Sequence, residues 1–216
     1  KQIVVCMDGT WCDPTEQTNV HKLFQTLPGE IERVAERGPI RSHYRKDDAG
    51  VRAFYLEGVG ARGRRQGLLG GSMGIGLHDR VIDAYTLVSQ VYQRGDKVWI
   101  FGFSRGAWSA RALGGLIAGA GLLDAAEASE SDAAEKAERI WVELKHGRGK
   151  ERGESFWEVN DPTPVRLIGV WDTVGALGVP LFNGLRLVDR IERALFDFAD
   201  LRLSTRVEHG RHALAI

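Results

Sequence analysis

Apolar residues form two kinds of run along this chain, and their alternation predicts its architecture. Four short, mainly apolar runs, Gln2 to Met7, Val51 to Glu57, Val98 to Phe101 and Pro164 to Val170, predict strands, and Val98 to Phe101 is of the kind buried on both faces. Between the second and third, Leu77, Val81, Tyr85, Val88 and Tyr92 recur at helical spacing, predicting an amphipathic helix from about Ile75 to Gln93. After the third, Gly106, Ala110, Gly114 and Ala118 recur every four residues, a helix with one small-residue ridge that lets it lie close to its strand. Thr18-Asn19 caps a shorter helix, Val20 to Leu27, which Pro28-Gly29 ends. The order predicts an α/β protein: an open, mostly parallel sheet with helices on both faces, α/β-hydrolase-like, in a single domain over residues 1–216.

The remaining stretches are less periodic. The segment up to Gly50 is polar and punctuated, with Asp47-Asp48 in a surface loop. Residues 122–161 are rich in Ala, Glu, Ser and Lys before the apolar pair Ile140-Trp141, and predict a helical insertion over the sheet. His146 to Glu154 is a charged loop in which His146 is solvated. Residues 175–185 are apolar and glycine-rich, and Leu187, Val188, Ile191, Leu195 and Phe198 make one helical stripe. Thr205 to Ile216, which carries His209 and His212, reads as a helix.

Composition narrows the function classes. Lys plus Arg and Asp plus Glu each number 29, so the net charge is zero, which argues against nucleic acid as partner. The one dense basic cluster, Arg62-Gly63-Arg64-Arg65, is a solvated loop able to meet an anionic head group. Cys6 and Cys12 form no disulfide framework, no zinc spacing exists, and neither metal nor cofactor is expected. No run approaches 18 uncharged apolar residues, and no signal peptide is visible, although a chain starting at Lys1 leaves a trimmed leader open.

The chemistry is concentrated at Gly102-Phe103-Ser104-Arg105-Gly106, a G-x-S-x-G sequence set between a buried strand and a small-faced helix. That context predicts a nucleophile elbow in which Ser104 stands clear of the sheet, with glycines where side chains would collide across the turn. Asp172, in Trp171-Asp172-Thr173, ends a strand on the edge where α/β sites are built. The chain order Ser, Asp, His of such hydrolases leaves only His209 and His212 downstream; neither is expected to be the base, with His212 as the fallback. The oxyanion would be met by the backbone N–H of Arg105 and by the loop at Gly9-Thr10.

Two competing motifs fall away. Asp8-Gly9-Thr10 suggests a phosphoaspartate phosphatase, but Cys6 occupies the nucleophile's position. Gly58-Val59-Gly60-Ala61-Arg62-Gly63 matches a dinucleotide fingerprint, but no apolar helical stripe follows it, and residues 58–76 read as a loop flanking the site.

With these residues in view, the chain resembles the DUF2235 family, the α/β-hydrolases that include the type VI secretion lipase effectors of the Tle1 kind. The matching pieces are Asp8-Gly9-Thr10-Trp11, Gly58-Val59-Gly60, the junction from Gly74 to Tyr85, Gly102 to Ala107, and Gly169 to Gly175. The resemblance implies a serine esterase acting on phospholipids, phospholipase A-like, with Ser104 as nucleophile and Asp172 as acid. It also implies peripheral membrane contact, a secretion-system or immunity protein as partner and, in some members, delivery into a competitor's periplasm. The family's histidine lies in a Gly-x-His-x-Asp-x-Gly-Gly stretch after a further strand, and no such stretch occurs within these 216 residues. A non-catalytic module that binds lipid or a partner protein through the same mouth is the competing expectation.

Overall fold

The computed structural model describes residues 1–35, 40–61, 72–145, 159–160, 165–174 and 204–215. In chain order the described elements are β1 (Gln2–Met7), α1 (Asn19–Thr26), β2 (Glu32–Val34), β3 (His43–Asp47), β4 (Val51–Leu56), α2 (Ser72–Val91) and β5 (Lys97–Phe103). There follow α3 (Arg105–Ala120), β6 (Leu122–Leu123), α4 (Glu130–Lys145), β7 (Val159–Asn160), β8 (Val165–Trp171) and β9 (Gly210–Ala213). Seven strands form one open sheet in the order β2-β3-β4-β1-β5-β8-β9. It is parallel from β4 to β9 and antiparallel only at the β2–β3 edge.

Unbroken apolar runs become the inner strands because both faces of this sheet are covered. Ile3, Val5 and Met7 of β1 bury into one core with α2, α3 and α4. Val4 and Cys6 point the other way, into a smaller core with Val20 and Phe24 of α1 and with Tyr55. Burial of each such side chain contributes roughly 1.5–3 kcal/mol. Helix α1 starts where the sequence predicts: the Thr18 hydroxyl accepts the His21 N–H at 3.1 Å. The chain places β4 on one flank of β1 and, after α2, places β5 on the other. The carboxyl end of β1 is therefore a topological switch point, the position at which open α/β sheets build their sites.

Three expectations are corrected. Asp47 is not in a surface loop: it ends β3, which with β2 forms a hairpin on β4, with Arg45 paired to Glu32 and Arg52 to Asp47. The key residue of the hairpin is Lys46, 4% exposed, whose ammonium donates to the carbonyls of Gln25 and Leu27 and so caps the end of α1. A buried lysine is tolerated there because helix-end carbonyls need donors. The segment after Thr205 is not a helix: β9 runs parallel to β8, pairing His212 with Val170 and Ala213 with Trp171. The open ladder of β8 provides the partners, and strand pairing there overrides the local helical pattern. In 122–161 the helix is present as α4, yet Leu122–Leu123 also pairs antiparallel with Val159–Asn160. Ile140 and Trp141 of α4 join the main core. The stretch 175–185, the stripe at 187–198, the loop at His146 and residues 62–71 of the expected 58–76 loop lie outside the described residues, and 72–76 belong to α2 rather than to a loop.

Candidate active site

Ser104 sits between the last residue of β5 and the first of α3 with φ 54° and ψ −120°. A non-glycine residue held at positive φ costs on the order of 1–3 kcal/mol and persists only where its surroundings over-determine it. Here they do. The Ser104 N–H donates to the Trp171 carbonyl (3.0 Å), and the Ser104 carbonyl accepts from Ala107 (3.1 Å) and Val174 (3.3 Å). The hydroxyl makes no capping bond to α3, although it sits where serine ordinarily caps. The turn is tight enough to require both motif glycines. A Cβ on Gly102 would stand 2.5 Å from the Gly106 carbonyl oxygen, and one on Gly106 would stand 2.3 Å from that of Met7. Farther along the small-residue ridge, a Cβ on Gly114 would meet Ile168 of β8 at 2.3 Å.

Asp172 follows β8 with φ 44°, a second non-glycine residue in the left-handed region. Its N–H donates to the Ala213 carbonyl (2.9 Å), and its Oδ1 accepts the Ala215 N–H (2.5 Å). The residues that clasp the Ser104 backbone, Trp171 and Val174, bracket Asp172, so the two predicted residues stand on neighbouring loops of one rim. His212 reaches the same rim on β9, with Nε2 3.4 Å from the Thr173 N–H. His209 lies lower, its carbonyl accepting the Ile168 N–H at 2.9 Å. Among the described residues no hydrogen bond joins either histidine to Ser104 or to the Asp172 carboxylate. The Thr173 hydroxyl beside them is buried without a partner.

On the other side of Ser104, the loop after β1 approaches closely. A Cβ on Gly9 would lie 3.2 Å from the Ser104 Cβ and 3.1 Å from Phe103. The Gly9 N–H, however, donates to the Asp8 carboxylate (2.8 Å), so of the two residues of this loop named for the oxyanion only Thr10 makes no backbone N–H bond among the described residues. Arg105 opens α3, the helix end at which N–H groups point outward. Its guanidinium lies over the Trp11 ring at 5.4 Å.

The glycines of the apparent nucleotide fingerprint serve this loop instead. A Cβ on Gly58 would fall 1.6 Å from the Gly9 carbonyl oxygen, and one on Gly60 would strike the Trp11 indole at 2.8 Å. Cys12 is no rival nucleophile: burial first, then the Asp8 charge, pushes its thiol up to about 11, so it stays protonated at neutral pH.

Two features escaped the sequence reading. One is the buried carboxylate of Asp8 with its partners Thr18 and Tyr55, for which the only signal was a charge ending an apolar strand. The other is an apolar rim. Trp11, Val174 and Leu214, at the carboxyl ends of β1, β8 and β9, are 60%, 40% and 68% exposed.

A family model described as T6SS, phospholipase effector Tle1-like, catalytic domain, matches residues 1–216. An uncharacterized protein of Saccharomyces cerevisiae, YEL023C, is 26% identical over 239 residues, covering 100% of this chain and 31% of that protein. The chain thus spans about a third of that relative's length. No solved structure matches it.

Proposed function

The chain belongs to the T6SS phospholipase effector Tle1-like catalytic domain family, and from that premise we propose that it is a serine esterase cleaving phospholipid ester bonds in the manner of a phospholipase A. The observation that carries this reading is Ser104, strained at a strand-to-helix junction with a hydroxyl unused by the helix, beside the loop of Asp172. Ser104 Oγ attacks the ester carbonyl while an imidazole takes its proton. The tetrahedral oxyanion is met by backbone N–H groups of Arg105 and of the loop after β1, and it collapses to acyl-serine as the imidazole protonates the leaving alkoxide. Water then releases the fatty acid by the same steps. Asp172 orients the imidazole and stabilises its charged form. We assign the base to a histidine other than His212, whose Nε2 faces a backbone N–H.

The apolar rim supports a lipid substrate and peripheral membrane contact, since an exposed tryptophan suits a membrane interface. Among the described residues no helix is long and apolar enough to cross a membrane. Delivery into target cells, and a secretion-system or immunity protein as partner, belong to the same proposal and follow from the family. Ser104→Ala in the complete protein should abolish both hydrolysis of phospholipid vesicles and labelling by a serine-directed phosphonate, with the fold retained. Labelling that persists in the variant would refute the nucleophile. A parent protein inert to esters and phosphonate would instead indicate a non-catalytic lipid-binding module.

A further inference from the structure

The Asp8 carboxylate is 5% exposed at the carboxyl end of β1, and it is fully engaged. Oδ1 accepts the Gly9 N–H at 2.8 Å; Oδ2 accepts the hydroxyls of Thr18 (2.6 Å) and Tyr55 (2.7 Å). Three donors offset the cost of burying the charge, and they are arranged on two sides. Oδ2 is tied to the α1 face of the sheet, where the Tyr55 ring packs against Phe24 and His21 with centroids 5.5 and 5.1 Å away. Oδ1 is tied to the peptide that abuts Ser104.

The four N–H groups that follow can be followed in turn. Gly9 donates to Asp8, Trp11 to the Val59 carbonyl (2.9 Å) and Cys12 to the Gly9 carbonyl (2.9 Å). Among the described residues the Thr10 N–H alone of the four has no acceptor. Gly9 itself stands against Ser104, with its Cβ position 3.2 Å from the serine Cβ. We infer that Thr10, and not Gly9, supplies the second oxyanion donor, and that Asp8 is the positioning residue that fixes the Gly9–Thr10 peptide beside the nucleophile. Asp8 touches no substrate. It binds the Gly9 N–H, keeps that group out of the reaction, and anchors the peptide to the Thr18–Tyr55 pair. The inference rests on the esterase reading above.

The test uses the complete protein, a soluble short-chain chromogenic ester and a serine-directed phosphonate whose phosphoryl oxygen enters the same hole. Asp8→Ala should lower kcat about 100-fold with KM nearly unchanged, the loss typical of an oxyanion donor displaced by about 1 Å. The phosphonylation rate should fall by a similar factor. Asp8→Asn keeps an oxygen for the Gly9 N–H and should recover to within about tenfold of the parent. Tyr55→Phe removes one anchor and should lose less than Asp8→Ala. If Asp8→Ala does not fold, the Asn and Phe variants carry the test, with a fall in kcat at constant KM as the supporting result.

A folded Asp8→Ala with parental kcat, or an Asn variant as impaired as the Ala variant, overturns the inference. Where Asp8→Ala does not fold, Asn and Phe variants both with parental kcat overturn it as well. Failure of the esterase reading looks different: the parent hydrolyses no ester and Ser104 takes no label, and the inference falls with it.

Discussion

Replacing Gly106 by alanine perturbs the fold at one calculable point. The new Cβ would stand 2.3 Å from the Met7 carbonyl oxygen and 2.4 Å from that of Asp8, where ordinary contact begins at 3.4 Å. Both obstacles are backbone, at the last residue of the central strand and the one after it, so they cannot rotate away, and the start of α3 must retreat by roughly 1 Å (the shortfall in that contact). Overpacking of this kind typically costs about 1–3 kcal/mol. At roughly 2–4 °C per kcal/mol for a domain of this size, melting should fall by about 2–12 °C. The larger effect is on geometry, because the same retreat carries Ser104 and Arg105 away from the loop at Gly9. A displacement of about 1 Å can cost on the order of 100-fold in rate. The expected result is a folded variant with ester-hydrolysis kcat/KM down about 100-fold and phosphonate labelling slowed in parallel. Gly115→Ala is the control on the same helix: nothing lies within 4 Å of its Cβ position, and gaining a helix former should leave activity unchanged and melting equal or higher. A Gly106→Ala protein that melts and reacts like the parent would refute the claim that this close approach seats the nucleophile.

Asp83 is buried near Arg41 and Arg80, and burial outweighs both cations, raising its carboxyl from 3.8 to about 6. A raised native value means that the folded state holds the proton more tightly, so the contribution of this one group to stability is fully present below 3.8 and is lost as pH climbs through 6. Relative to the parent, Asp83→Asn should gain up to about 3 kcal/mol across that window (1.36 kcal/mol per pH unit), read from denaturant unfolding at several pH values; a flat difference refutes it. His212→Ala should leave kcat/KM within about tenfold, since a general base is worth roughly 10²–10⁴; a loss beyond a thousandfold would make His212 the base.

Much of the fold was legible because buried parallel strands are written as short, mainly apolar runs, and β1, β4, β5 and β8 are four such runs. The edges were not. β3 reads His-Tyr-Arg-Lys-Asp, and what makes it a strand is Lys46 reaching carbonyls about twenty positions back in the chain. Its polar group satisfies a helix end, so the hydrophobic pattern carries no trace of it. β9 likewise owes its conformation to the open ladder of β8 rather than to its own residues.

At the proposed site, the sharp strand-to-helix turn at Ser104 was readable from its context, and so was the place of Asp172 after a strand. The division of labour within Asp8-Gly9-Thr10 was not, because it depends on Tyr55, 47 positions away, meeting the same carboxylate. Local motifs show which residues sit on the rim. Which N–H is occupied is decided by how the loop folds on itself, through Asp8 and the Gly9 carbonyl, and at Trp11 by Val59.

Backbone strain gives an independent argument for where the chemistry lies. Among the described residues, four that are not glycine have positive φ: Trp11, Gln17, Ser104 and Asp172. Three of them follow the carboxyl ends of β1, β5 and β8, adjacent parallel strands of one sheet. Each costs on the order of 1–3 kcal/mol, and folding alone gives no reason to place them side by side. Glycine would relieve the strain at any of these positions, as it does at Gly60 and Gly121. What glycine lacks is the side chain: a hydroxyl at 104, a carboxylate at 172, an indole at 11 stacked on Arg105. Strain retained for the side chain it presents, three times along one rim, is what a reaction site at this edge requires. It points to the same edge as the topological switch at β1.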